Sequence, residues 1–360
     1  MTHDIYTIAH LSDLHTTPVH VTSPRDLLNK RILGWLSWTL RRQHEYRPEV
    51  LQVLINDLHQ QPHDAAVVTG DLANISLEAE FPAAVAWLQQ LGTPEKVFII
   101  PGNHDAYISL AYEHSWKHWE AYLQSDREFQ PASTQIATAQ PERNVNGVEG
   151  QVPEEGLQFP TVRVREPVVL IGLNSTFPPA AWHEANGAVG PQQLKRLEQL
   201  LQQFSATDLC RIVMIHHPPD EAIVASRRLT DTAAFCEVLR KTGAELVLHG
   251  HLHRTVLRSI PGPQRPIPVV GVRSGSAIGS RPKKRAEYHL YRIERNRNEQ
   301  ANVRFHIHMT VRAYDATAQR FVEKRELTLH PVLDAGVSDL SSKAGPEPVE
   351  GPGNRALRRL

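Results

Sequence analysis

Val97-Phe98-Ile99-Ile100-Pro101-Gly102-Asn103-His104-Asp105 passes from an apolar run into an amide, an imidazole and a carboxylate. Val97 to Ile100 has the character of a buried strand, and the donor side chains follow at its end. The same grammar recurs along the chain. Ile5 to Leu11 runs into Asp13-Leu14-His15, and Ala65 to Thr69 into Gly70-Asp71. Arg211 to Ile215 precedes His216-His217-Pro218, and Leu246 to Leu248 precedes Gly250-His251-Leu252-His253. In open α/β sheets the ligand site lies beyond the carboxyl ends of the strands, so five such ends predict one site. Side chains two apart on a strand share a face, which predicts that Asp13 works with His15 and His251 with His253. Glycines 70, 102 and 250 are read as allowing the unusual backbone these turns need.

Singly, each block is weak, because Asp-x-His and Gly-Asp are ordinary turn punctuation. Five blocks in order, each closing an apolar run, make one composite motif. Together they offer two aspartates, an asparagine and at least three histidines, enough donors for two metal ions.

In this order the blocks resemble those of the calcineurin-like metallophosphoesterases, across residues 13 to 253. The resemblance implies an α/β fold, a four-layer α-β-β-α sandwich of two mixed sheets flanked by helices. It implies Asp13, His15 and His253 as ligands of one ion, and Asn103, His216 and His251 as ligands of the other. Asp71 would bridge the two, and His104 would sit beside them without binding metal; one residue past a ligand, it is placed to donate a proton to the leaving oxygen or to stabilise its charge. His217 is not expected to be a ligand, and Asp105 is expected to orient His104 or a ligand imidazole. Two divalent ions about 3.5–4 Å apart clamp a phosphate and lower the pKa of bound water, providing hydroxide for in-line attack. Imidazole and carboxylate donors without thiolate suit Mn or Fe, and also Zn or Co, better than Mg or Ca.

With 41% hydrophobic residues the chain can bury a large core, and a formal net charge of zero gives no global pull toward nucleic acid. Residues 1–334 are read as the metallophosphoesterase domain, with insertions at 23–45 and 125–158 and a disordered tail at 335–360. The 125–158 segment lacks any hydrophobic period. Helices are expected from Pro48, with Val50, Val53, Leu54 and Leu58 on one stripe. Others are expected over Leu77–Leu91, Leu110–Leu123, Pro191–Phe204 and Asp231–Lys241. Late strands at Tyr288–Ile293, Val303–Arg312 and Glu326–Leu329 are expected to complete the second sheet. Cys210 and Cys236 read as packing residues. Their scarcity, with no charged-then-apolar leader, points to a cytoplasmic protein, and no apolar run is long enough to span a membrane.

Between the first block and Pro48, residues 23–45 carry a second signal. Projected at about 100° per residue, Leu28, Ile32, Leu33, Trp35, Leu36 and Leu40 share one face. Lys30, Arg31, Arg41 and Arg42 gather opposite, with Leu27 and Trp38. That is the composition of a helix lying in a membrane interface, or of one packed on the domain. The leading expectation is therefore hydrolysis of a phosphodiester or pyrophosphate in a membrane-associated nucleotide-lipid, and within the family the chain resembles the enzymes that cleave UDP-2,3-diacylglucosamine. An anionic membrane surface would be the partner and the inner membrane face the location. The best-known branch of those enzymes carries Gly-Asn-Arg-Asp where this chain has Gly-Asn-His-Asp, so the kinship lies with another branch. The alternatives are a soluble 3',5'-cyclic nucleotide phosphodiesterase and, last, a non-catalytic scaffold, which would tend to lose ligands that this chain keeps.

Overall fold

The computed structural model of the protein describes residues 4–130, 157–178, 184–297 and 303–329. Most of the expected 125–158 insertion and the whole 335–360 tail lie outside the described residues. Twelve strands follow one another: β1 (Ile5–Leu11), β2 (Ala65–Val68), β3 (Val97–Ile99), β4 (Thr161–Arg165), β5 (Val168–Gly172), β6 (Cys210–Met214), β7 (Leu246–His249), β8 (Val256–Ile260), β9 (Ile267–Gly271), β10 (Glu287–Arg295), β11 (Phe305–Asp315) and β12 (Arg320–Thr328). They form two six-stranded mixed sheets, ordered β12-β11-β10-β1-β2-β3 and β4-β5-β6-β7-β9-β8.

Alternation along the central strands builds the layers. Ile8, Val67, Ile212 and Met214 face the other sheet in one shared core with Phe98, Leu170, Leu248 and Tyr291. Ala9, Leu11, Ala66 and Val68 point the other way, onto the apolar stripes of helices Pro48–Leu58 and Glu80–Leu91. Val213 and Val247 likewise meet helices Pro191–Ser205 and Thr232–Thr242. The result is the helix–sheet–sheet–helix sandwich that the motif resemblance implied. The parallel strands β1-β2-β3 and β5-β6-β7-β9 run out toward the donor-bearing turns.

Two expectations change here. The late strands join the sheet of β1 through the β1–β10 pairing, and do not complete the other sheet. That second sheet is instead built with β4, β5, β8 and β9, short runs that sequence periodicity did not single out. Leu110–Leu123 is not one helix but the turns Tyr112–His114 and Trp116–Trp119 followed by Glu120–Leu123. Two buried indoles anchor this break, Trp116 donating to Asp105 O (3.1 Å) and Trp119 to Phe81 O (2.8 Å).

The 23–45 segment also departs from a single helix. It comprises a 3₁₀ turn Pro24–Leu27, helix α1 (Arg31–Ser37), a π turn Trp38–Arg42 and a last turn Gln43–Glu45. In the π turn Gln43 N reaches back to Trp38 O, five residues away, so a constant 100° projection fails there. Leu28 (81% exposed), Ile32, Leu33, Leu36 and Leu40 (78%) do remain in solvent. Trp35 leaves that row and packs with Trp38 and Tyr107 against Val19, Ile75 and Leu77.

The expected basic face dissolves too. Lys30 Nζ stands 4.3 Å over the Tyr107 ring, Arg31 is buried, and Arg42 turns into the interior. Of the four cations, Arg41 alone stays in solvent, beside Glu45 at 3.4 Å. Close docking of α1 depends on Gly34, where a Cβ would sit 2.6 Å from Ile75 Cγ2.

Arg31 ties α1 down by donating from Nε to Ile75 O (3.1 Å) and from Nη2 to Ser76 O. Replacing Arg31 by Met keeps the stem and removes these charged donors, with an expected loss of about 1.5–3 kcal/mol. Urea denaturation measures it. An unchanged midpoint would show that the segment does not rest on these bonds.

Candidate metal centre

Seven described non-glycine residues adopt positive φ, and five of them are candidate ligands: Asp13 (53°), His15 (47°), Asp71 (59°), His251 (69°) and His253 (52°). Their side chains therefore do not converge through strand alternation. Each lies past its strand, in the left-handed region where Asp and His are tolerated better than most residues. Strained backbone of this kind persists where the surroundings over-determine it. Of the three glycines, Gly70 has the left-handed backbone (φ 95°). Gly102 and Gly250 are needed for space, since a Cβ there would collide with Asp71 and with Ser12, respectively.

Donor atoms of Asp13, His15, Asp71 and His253 all lie within 4.8 Å of one another. His253 Nε2 is 3.2 Å from Asp13 Oδ1, and His15 Nε2 is 3.5 Å from Asp71 Oδ2. A second group lies alongside. Asn103 Oδ1 is 3.0 Å from His216 Nε2 and 2.9 Å from His251 Nδ1. Asp71 Oδ2 is 3.5 Å from His216 Nε2 as well, which puts one carboxylate oxygen between the two groups. His217 also belongs to this neighbourhood, its Nδ1 held by Ser175 Oγ at 2.8 Å and its Nε2 buried without a partner.

The far side of several rings is fixed. His15 Nδ1 meets Ala73 O (3.0 Å), His216 Nδ1 meets Thr69 O (2.7 Å), and His253 Nδ1 meets the Tyr46 hydroxyl (3.0 Å). A carbonyl can only accept, so Nδ1 carries the proton in His15 and His216 and leaves the Nε2 lone pair facing the site. Burial, then Arg42, holds His15 well below the ordinary imidazole range, and burial does the same for His251 and His217. These rings stay neutral and able to ligate.

The carboxylates give the complementary signal. Burial pushes Asp71 well up, and the neighbouring Asp13 adds to it. Burial would also raise Asp13, but His253 beside it keeps it well below the usual carboxylate range. Asp13 Oδ1, His15 Nε2 and His251 Nε2 are buried with no hydrogen-bond partner. Buried anions beside unspent lone pairs lack positive charge, and the arrangement fits two divalent cations.

Asp105 plays a different part from the one expected. It orients no imidazole; its carboxylate accepts from the backbone N–H groups of Asp71, Ala73 and Gly102, each at 2.8 Å. That clamps the turns after β2 and β3 together. Glu80, which sequence reasoning missed, organises the adjoining loop by accepting from Asn74 N, Ile75 N (3.0 Å) and Leu77 N (2.9 Å). The turn after β9 supplies Ser274, whose Oγ donates to Asp13 O at 2.7 Å.

His104 donates its backbone N–H to Asp71 Oδ1 (2.7 Å), and its Nδ1 meets Asn74 O (2.5 Å). Burial, followed by Arg42 and His15, pushes its imidazole well below the ordinary range. Arg42 and Tyr46 are also part of the centre. Their spacing in the sequence carried no metal-site signal, because only folding of the 23–45 segment brings them here. Leu36 and Arg41 lie on the outer part of that segment and Trp35 packs beneath it on Val19, Ile75 and Leu77, so none of the three enters the centre.

The calcineurin-like phosphoesterase family model matches residues 6–255. The chain belongs to that family. As a member it is a metal-dependent phosphoester hydrolase, and its His/Asp cluster fits the two divalent metals of such enzymes. Among solved structures, a dimetal phosphatase from Danio rerio is 11% identical with a TM-score of 0.51, over 90% of this chain and 98% of that one. A purple acid phosphatase from yellow lupin is 9% identical with a TM-score of 0.49, over 96% and 57%. A 5'-nucleotidase precursor from Thermus thermophilus is 14% identical with a TM-score of 0.44, over 91% and 55%. The chain thus spans little more than half of the latter two. At 11% identity the likeness to the Danio rerio phosphatase shows the shared fold alone. No curated protein sequence matches the chain. No helix among the described residues is long and apolar enough to cross a membrane.

If Asp71 serves both donor groups, Asp71→Ala removes metal from both positions while the fold persists. Elemental analysis should fall from two ions per chain toward none, with activity abolished. Full occupancy in an active variant would refute the shared role.

Proposed function

We propose that the chain cleaves a phosphodiester or pyrophosphate bond in a substrate bearing an acyl tail, with UDP-2,3-diacylglucosamine as the leading candidate, presented at a membrane surface. The observation that carries the reading is the exposed row Leu28, Ile32, Leu33, Leu36 and Leu40 on the segment that also delivers Arg42 to the metal centre. An apolar row in solvent has little reason to persist unless apolar matter covers it. The basic side of the same segment no longer contributes, since Arg41 alone faces solvent.

In this reading Asp13, His15 and His253 would hold one ion, Asn103, His216 and His251 the other, and Asp71 both. Manganese or iron suits the donors best, followed by zinc or cobalt. Bound there, the ions supply positive charge to the phosphoryl oxygens and a nucleophile near neutral pH. Asp105 keeps the two turns in register so that the donors stay aimed inward. His104 would contribute at the leaving oxygen: Nδ1–H donation to Asn74 O fixes the ring and leaves Nε2 free to face the substrate, whose negative charge would favour the protonated ring that delivers the proton.

His104→Ala should retain metal and lose about 10²–10⁴-fold in turnover, the usual contribution of a positioned acid. The loss should shrink for p-nitrophenolate relative to alkoxide leaving groups. Equal losses for both would remove His104 from the proton transfer.

The substrate class is tested on the exposed leucines. Leu36→Ser with Leu40→Ser should leave the melting temperature and bis-p-nitrophenyl phosphate hydrolysis unchanged. Hydrolysis of the UDP-lipid in detergent should fall at least about tenfold, because burying even one leucine is worth about 1.5–3 kcal/mol. Undiminished lipid hydrolysis would overturn the reading. So would a wild-type preference for a 3',5'-cyclic nucleotide, which would support the soluble phosphodiesterase instead.

A further inference from the structure

Arg42 enters the metal centre from outside every motif block. Its Nη2 lies 3.1 Å from His15 Nδ1, and its Nη1 lies 3.2 Å from His104 Nδ1 and 3.4 Å from His104 Nε2. Two of these three nitrogens are already committed. His15 Nδ1 faces Ala73 O and His104 Nδ1 faces Asn74 O, so both carry protons and neither can accept from Arg42. That leaves His104 Nε2 as the one ring atom able to receive an arginine N–H.

A guanidinium has five N–H donors. Among the described residues Arg42 pairs with no carboxylate. Its position is nonetheless fixed, by the π turn that carries it and by the Tyr46 ring, whose centre lies 5.3 Å from the guanidinium carbon. The same Tyr46 holds His253 Nδ1, so cation and candidate ligand share one support. A half-buried cation pressed against two neutral imidazoles, with most of its donors unspent, is poised for an anion. Where the site handles phosphate, the planar fork of arginine matches two phosphoryl oxygens at once.

We propose that Arg42 is a substrate-binding catalytic residue, donating to the non-bridging oxygens of the phosphoryl group under attack. The inference rests on the phosphoester hydrolase chemistry and is independent of the acyl-tail reading. It gives the 23–45 segment a second role, because the element bearing the exposed leucines also completes the phosphate site. Specificity follows from the same geometry: removing Arg42 should weaken a dianionic monoester more than a monoanionic diester.

The test uses the full chain loaded with manganese, with Arg42→Ala and Arg42→Lys compared against wild type. Calorimetric titration with inorganic phosphate reads binding, elemental analysis reads metal, and p-nitrophenyl and bis-p-nitrophenyl phosphate read kcat and KM. Arg42→Ala should weaken phosphate binding by about 10–100-fold, the worth of hydrogen bonds to a charged partner. Metal content should stay at two ions per chain. Arg42→Lys should recover part of the binding, as a point charge without the fork. If Arg42→Ala loses metal, the titration is repeated at saturating manganese. Phosphate affinity equal to wild type in the metal-replete variant would overturn the proposal and leave Arg42 a purely structural residue. Failure of the UDP-lipid assay would not move the phosphate titration, so the two readings fail separately.

Discussion

Asp71 Oδ2 lies 3.5 Å from His15 Nε2 and 3.5 Å from His216 Nε2, one ring following a strand of each sheet. A single carboxylate oxygen can serve both donor groups only if the two sheets are held firmly face to face. The inter-sheet core of Ile8, Val67, Phe98, Ile212, Met214 and Leu248 provides that rigidity, since close-packed interiors give little under strain. Asp105 provides the local counterpart by gathering three backbone N–H groups from the turns after β2 and β3. Left-handed backbone at five donor residues is the cost of this convergence.

The centre is built to receive positive charge on one side and negative charge on the other. Two buried carboxylates and several neutral imidazoles with inward lone pairs suit cations. Arg42, lying over Tyr46 at the edge, suits an anion. A phosphoester has the matching polarity, with oxygens that can meet the ions and the guanidinium together. The 23–45 segment supplies this edge, and its attachment through Arg31, Gly34, Trp35 and Trp38 explains why it is docked firmly while its leucine row stays in water.

Much of this could be read along the chain. Donor side chains must follow buried strands, and that rule located the five turns and the family without reference to contacts. Helices with a single apolar stripe, such as Pro48–Leu58 and Pro191–Ser205, were equally legible because burial on one face imposes a 3.6-residue period. The failures have physical causes. Strands β4, β5, β8 and β9 are five residues each, and unlike the equally short β2, β3, β6 and β7 they run into none of the donor blocks that marked a strand end. The 110–123 region breaks because buried indoles bond to distant carbonyls, an interaction that propensity does not register.

The sequence by itself determined which residues could bind metal and in what order the strands present them, because those depend on side-chain chemistry and local burial. Tertiary structure decided how they meet. Asp13 and His15 converge through left-handed backbone, not strand alternation, and Asp105 serves the backbone, not an imidazole. It also decided which face of 23–45 is which. Arg42 turns inward while Leu36 and Leu40 stay outside. No local pattern encodes that choice, because it depends on which side of the segment the domain packs against.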